Sequence, residues 1–272
     1  MLYNKAMKEI IDFKYRDIGK DDLNNKKHSH GNCYEMLFVR SGSGVIMVKD
    51  KLFHIKPGGL YFINGMDIHC SVPEVPEDYT RSKLIIDSNY INRIAEATGL
   101  SEAVEDLFIK NGGLYIKSSE TEAIDAEFLK IDASLRSETM YTRAQVTAAL
   151  LHIFALAHSD KSMHSQAISN NVSSVLDYIN NRIEQKITLD EISANVHMSK
   201  YYMCHIFKKT IQMTVSEYIL SRRISIAKKK LLYTSLPISE IALSSGFSSF
   251  AYFSKIFREH EGVTPKEFRK NV

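Results

Sequence analysis

Tryptophan is absent from this sequence of 272 residues, cysteine occurs 3 times, proline 5 times and glycine 12 times. Each shortage excludes something. Cys33, Cys70 and Cys204 form an odd set with no Cys-x-x-Cys pair, which argues against a disulfide framework or a cysteine-held zinc and suits a reducing cytosol. The most apolar stretch, Val146 to Ala157, runs for 12 residues and contains His152; a membrane span needs ~20. Met1 to Lys8 lacks the apolar centre of a secretory leader, so the expectation is a cytoplasmic protein with no membrane association. The scarcity of glycine and proline excludes collagen-like chains, while 44% hydrophobic and 25% charged residues exclude disordered and coiled-coil classes.

What is present fits two domains, since the length is about twice the usual ~150 residues of one. The net charge of +3 hides an asymmetry: residues 171–272 hold 15 Lys+Arg against 9 Asp+Glu, and residues 1–170 hold 20 against 23. A basic half joined to an acidic half is what a nucleic-acid-binding module beside a partner-sensing module would have, although a solvated basic face gives the same count.

From Phe13 to about Asp87, short apolar segments alternate with turn residues. Glu35 to Arg40, Val45 to Val48, Leu52 to Ile55 and Leu60 to Ile63 are separated by Ser41-Gly42-Ser43-Gly44, Lys49-Asp50-Lys51 and Pro57-Gly58-Gly59, a hairpin rhythm that predicts a small sandwich or barrel. Further on the period becomes helical. Ile124, Phe128, Ile131 and Leu135 form one stripe, and Val146, Ala149, Leu150, Ile153 and Leu156 another. Leu151, Phe154 and Ala155 widen the apolar surface of the second helix, which predicts a homodimer through this pair. Ser159 to Asn171 is polar and reads as a linker.

The region beyond it contains a repeat. Ile206-Phe207-Lys208 matches Ile256-Phe257-Arg258, and Thr214-Val215-Ser216-Glu217 matches Thr264-Pro265-Lys266-Glu267, at an offset of 50; Leu189-Asp190-Glu191-Ile192 matches Ile238-Ser239-Glu240-Ile241 at 49. Thr188 and Glu191 make a capping box, both copies end in Thr-x-x-Glu before another helix, and Pro237 marks the second entry. Gly246 supplies the positive φ of a tight turn, and His197 stands in its place in the first copy. Short helix, tight turn and a second helix with a polar, basic face is the helix-turn-helix plan. A helix from Val215 to Leu232, ~27 Å long, would set two such units about one DNA turn apart.

Thr188 to Arg269, with Ile-Ser-Glu-Ile-Ala-Leu-Ser-Ser-Gly-Phe-Ser-Ser-Phe-Ala-Tyr-Phe-Ser-Lys-Ile-Phe-Arg at 238–258 and Gly-Val-Thr-Pro-Lys-Glu-Phe-Arg at 262–269, resembles the DNA-binding domain of the AraC family of bacterial transcription regulators. Lys26 to Val72 is similar to the cupin-type sensing domain that often precedes it. The resemblance implies base contacts from Lys200, Tyr201, Cys204 and His205 in the first copy and from Ser249, Phe250, Ser254 and Lys255 in the second. Lys208 and Arg258 would meet phosphate. Phe250 either packs on a thymine methyl or fills the turn.

In the first half His28-Ser29-His30, Glu35, Gly42 and His69 follow the order of the metal-binding cupin motif. Period two would put His28 and His30 on one side of a strand, where Glu35 and His69 could converge. Three imidazoles and a carboxylate suit a divalent transition metal. Asn64, Met66 and Pro73 depart from the motif, so a metal-free polar pocket and surface histidines remain open. Phe38 and Tyr61, with those polar groups, would line an effector pocket.

The fold class expected is therefore two domains. An N-terminal all-β cupin-like barrel followed by two helices spans 1–158, a linker 159–171, and a C-terminal all-α double helix-turn-helix domain 172–272. The expected function is sequence-specific binding of double-stranded promoter DNA under control of a small-molecule effector, a sugar by family analogy, with RNA polymerase a further partner if the protein activates. It is not expected to be an enzyme. The rival is a metal-dependent cupin oxygenase or isomerase carrying a DNA-binding domain.

Overall fold

The structure is a computed structural model and describes residues 7–18, 32–111, 113–115, 118–159 and 171–270. Its contacts divide the chain into two compact units, Met1–Ile168 and Ser169–Val272. The expected linker lies outside the described residues except for its ends, Ser159 and Asn171.

The described strands of the first unit are β1 (Ile10–Ile18), β2 (Cys33–Ser41), β3 (Gly44–Val48), β4 (Lys51–Ile55), β5 (Gly59–Asn64), β6 (His69–Pro73), β7 (Thr80–Asp87) and β8 (Gly113–Tyr115). They form one sheet in the order β1-β7-β2-β5-β8 and another in the order β4-β3-β6, antiparallel throughout. The Ser-Gly-Ser-Gly turn needs its glycines: at Gly44, φ is 143° and a β-carbon would lie 2.3 Å from the Val72 carbonyl oxygen.

Period two sorts the strands into two cores. Leu37, Val39, Ile46, Val48, Phe53, Ile55, Tyr61, Ile63 and Tyr79 pack together between the sheets. Tyr34, Met36, Phe38, Leu60, Phe62, Leu84 and Ile86 point the other way and pack against helices. Those helices are α1 (Ser88–Thr98), α2 (Ser101–Glu105), α3 (Ser118–Ser137) and α4 (Thr142–Ser159), with a π-helical turn over Asp106–Asn111.

An all-β domain followed by two helices is thus an incomplete description, because α1, α2 and the π-turn stand between β7 and β8. α2 and the π-turn are too short to establish a sustained helical period, and the Asp87 side chain that caps α1 by accepting the Tyr90 N–H at 2.9 Å also ends a strand. The expected stripes on α3 and α4 are buried, except that Leu156 is half-buried. Phe154 is also buried, beside Phe62 and Phe108 with ring centroids 6.4 and 6.0 Å away, so it belongs to the core and not to an outer face.

The second unit is helical: α5 (Asn171–Asn181), α6 (Leu189–Asn195), α7 (Lys200–Ile211), α8 (Val215–Tyr233), α9 (Ile238–Ser244), α10 (Phe250–Glu261) and α11 (Pro265–Lys270). The three Thr-x-x-Glu boxes form: Thr188, Thr214 and Thr264 each accept the N–H of the Glu three residues on, at 3.2 Å, and each donates its own N–H to that Glu at 2.8 Å. His197 and Gly246 both have positive φ, 54° and 90°, as the turns require. Gln212 and Gly262 end α7 and α10 in the left-handed conformation at equivalent positions.

Candidate nucleic-acid interface and effector pocket

The two helix-turn-helix copies present equivalent faces. In α7, Met203 and Phe207 are buried, Cys204 and Ile206 half-buried, and Lys200, Tyr201, Tyr202, His205 and Lys208 exposed; in α10 the same classes fall on Phe253 and Phe257, Ser254 and Ile256, and Phe250, Ala251, Tyr252, Lys255 and Arg258. One sequence register therefore produces one surface register. Ser199 and Ser249 open the two helices, each hydroxyl accepting the N–H of the third helical residue, Tyr202 or Tyr252, at 3.3 Å.

That register sets Ser249 apart from the other expected contacts. It is exposed, is the counterpart of Ser199, and its hydroxyl accepts the Tyr252 N–H as a cap. Ala251, also exposed, is the counterpart of Tyr201. The offset of 50 that aligned Tyr202 with Tyr252 carried the signal. The remaining residues of the expected face, Lys200, Tyr201, Cys204, His205 and Lys208 with Phe250, Ser254, Lys255 and Arg258, are exposed or half-exposed. Tyr201 is 83% exposed and Phe250 49%. The Tyr201 ring lies nearly parallel to His205, 12° apart with centroids separated by 6.3 Å, which orders two flat groups one turn apart. Lys200 pairs with Asp190 of α6 at 2.7 Å, an exposed pair that contributes little to stability.

In the barrel, Glu35 and His69 converge as the spacing required. His69 Nε2 lies 3.2 Å from Glu35 Oε2, and its Nδ1 is 3.0 Å from the Asp67 carbonyl oxygen. Burial by itself would lower the His69 pKa, but the Glu35 charge and hydrogen bond, helped by Asp67, outweigh it and hold the imidazole above its ordinary value. Tyr61 is buried in the same core and donates its hydroxyl to the His54 carbonyl at 2.6 Å. Phe38 is not part of this pocket: it faces the helices, its ring stacked with Phe128 at 5.9 Å, because it shares the phase of Tyr34 and Met36 and not that of Glu35. His28 and His30 lie outside the described residues. Among the described residues no group of three or more His, Cys, Asp or Glu is placed to hold a metal. A cleft of about 130 Å³ is lined in part by Lys49, Asn64, Asp67, Phe108 and Lys110, and neither Glu35 nor His69 is among its lining residues.

A barrel with a buried polar pair, followed by two copies of a helix-turn-helix with matched exposed faces, defines a ligand-responsive transcription regulator. The match to known families has the same two parts: the AraC-like ligand binding domain covers residues 12–165, and a helix-turn-helix domain covers 192–271. The chain belongs to the AraC family of transcription regulators. It is 33% identical over 245 residues to the uncharacterized HTH-type transcriptional regulator YdiP of Escherichia coli K12, covering 89% of this chain and 80% of that one. The HTH-type transcriptional activator RhaR of Enterobacter sp. 638 is 25% identical over 248 residues, covering 89% and 86%. Among solved structures, an AraC-type transcriptional regulator from Chromobacterium violaceum is 31% identical with a TM-score of 0.35, covering 37% of this chain and 89% of that one. With both family domains matched and YdiP and RhaR named as transcriptional regulators, the enzyme reading gives way to effector-controlled DNA binding. Among the described residues no helix is long and apolar enough to cross a membrane.

Proposed function

We propose that α7 and α10 enter successive turns of the major groove of one promoter site, and that a small hydroxylated effector, a sugar, is held in the barrel by Glu35 and His69. The observation that carries the first part is the identical succession of exposed and buried positions along the two helices. Lys200, Tyr201, Cys204 and His205 read one half-site, and Phe250, Ala251, Ser254 and Lys255 the other; Lys208 and Arg258 grip phosphate. An activator bound in this way would act on RNA polymerase.

The sugar assignment rests on chemistry and on one relative. A carboxylate beside an imidazole ring offers hydrogen-bonding partners to vicinal hydroxyls in an apolar surround. The melibiose operon regulatory protein of Escherichia coli K12 is 29% identical, over 42% of this chain. A thermal-shift screen of mono- and disaccharides, with metal analysis of the same protein never exposed to chelator, tests both this reading and the four-ligand metal alternative. His69 with its Nδ1 fixed by the Asp67 carbonyl is the oriented imidazole a metal would use, so bound metal would point to His28 and His30 as its other ligands.

The protein functions in this reading as a homodimer through α3 and α4. A groove of about 540 Å³ runs between them, lined by Ala133, Ala148 and Ala149, with Glu127 accepting from Lys130 at 2.7 Å and from His152 at 2.8 Å. Leu129 beside it is 49% exposed. Two promoter-binding units held together gain effective concentration on a double site.

A further inference from the structure

The two turn positions of the repeat differ for a reason that turn geometry does not supply. His197 has the positive φ of its turn and is exposed to solvent, so its side chain has room. At Gly246 a β-carbon would lie 2.4 Å from the Ile183 carbonyl oxygen and 2.7 Å from Arg223 Nε. The second turn is therefore pressed against two groups from elsewhere: Ile183 in the connection between α5 and α6, which belongs to the first copy, and Arg223 on α8. Arg223 Nε donates to that same carbonyl at 3.0 Å, and its Nη2 donates to the Gln185 carbonyl at 2.6 Å.

Two turns further along α8, on the same face, Lys230 makes a similar link. Its ammonium donates to the Ser244 carbonyl at the end of α9 and to Glu184 at 3.1 Å. Lys230 thus ties the α5–α6 connection of the first copy to the end of α9, while Arg223 ties that connection to α8 with the Gly246 turn packed against its guanidinium. Besides these links, α8 itself joins the copies, packing Tyr218 against Phe207 of α7 and Ile224, Ala227 and Leu231 against α9 and α10, so the polar contacts add a direct brace from the α5–α6 connection to the second turn.

We infer that Arg223, Lys230 and Gly246 form a lock that fixes the separation and angle of α7 and α10, and so sets the half-site spacing the protein accepts. This rests on the reading that α7 and α10 occupy successive groove turns. The physical reason is preorganisation: two modules on one rigid body gain effective concentration only on DNA whose half-sites match their geometry, and a loosened pair loses both the gain and the discrimination. These three are positioning residues and touch no base.

The test uses the full chain and duplexes it selects from a random-sequence pool, compared with versions cut to one half-site or re-spaced by one or two base pairs. The double variant Arg223→Ala, Lys230→Met should bind a single half-site within about twofold of wild type. It should bind the selected two-site duplex about tenfold more weakly and no longer discriminate against re-spaced duplexes. Gly246→Ala, which keeps both cations but drives a β-carbon against the Ile183 carbonyl and Arg223, should change the spacing profile as well. A wild-type spacing profile in all variants would overturn the lock. Equal losses on one-site and two-site duplexes, with a lowered melting temperature, would reduce these residues to fold stability and overturn it too. A wild type that engages only one half-site would instead contradict the two-groove reading beneath it.

Discussion

Lys228 of α8 is 1% exposed, and its ammonium lies 2.8 Å from Glu261 Oε2 at the end of α10. The pair ties the second recognition helix to the central one. Burial would raise the Glu261 pKa, but the hydrogen bond from His260 and the Lys228 charge outweigh it and hold the carboxyl below its ordinary value of 4.5. A depressed carboxyl contributes stability that is present above that ordinary value and is lost as pH falls through the lower folded value. Glu261→Gln should therefore cost about 3–5 kcal/mol near neutral pH, because it strands a buried cation. The gap from wild type should close in acid. Chemical denaturation at neutral and acid pH measures both; a constant gap would remove the linkage.

Base-reading and phosphate-gripping residues should separate cleanly. Lys255→Ala and His205→Ala should each change the preferred base at one position by about 1–3 kcal/mol. Lys208→Ala and Arg258→Ala should weaken binding to all sequences alike and lower the salt slope by about 1. Competition binding on single-base variants of a selected site distinguishes the two classes. Ala251→Tyr, which copies Tyr201 of the first half-site, should change preference in the second.

Glu35→Gln and His69→Asn should each abolish the thermal shift given by an effective sugar, with losses of about 1–3 kcal/mol in affinity. DNA binding by the ligand-free variants should stay at the wild-type level. Phe38→Leu, on the helix side of β2, should leave sugar affinity unchanged; a loss there comparable to Glu35→Gln would move the pocket to the other face.

What the residues announced in advance was local and periodic. The boxes at Thr188, Thr214 and Thr264 form because their chemistry is complete within four residues, and α8 ends within one residue of its expected place. Glu35 and His69 meet because a strand period and a motif order both point inward. Phe38 was put on the wrong side because Tyr34 to Val39 of β2 are buried on both faces, leaving no polar alternation to reveal phase. The helix α2 is too short to show a helical period, whereas the buried Tyr90, Ile91 and Ala95 give α1 one. Capping and exposed residues are adjacent at Ser249 and Phe250, and the repeat register is what pairs Ser249 with the cap Ser199. The contact between Gly246 and Ile183 was not legible, since nothing local records which turn has a neighbour.

Leu151→Glu, at a half-buried position of α4, should give a folded monomer with weaker binding to double promoter sites. Phe154→Glu should instead destabilise the unit by about 3–5 kcal/mol, since it places a charge where an aromatic ring fills the core. Sedimentation of both variants beside wild type decides, and a wild type that is monomeric at micromolar concentration with and without DNA removes the dimer.

The measurement that bears most directly on the account is a hydroxyl-radical footprint of the full chain on a selected duplex. Two recognition helices on one rigid body should protect two segments centred about 10 base pairs apart on one face of the DNA, and loss of Lys255 or His205 should weaken one segment at a time. Protection of a single segment, or a footprint unchanged by either substitution, would contradict it.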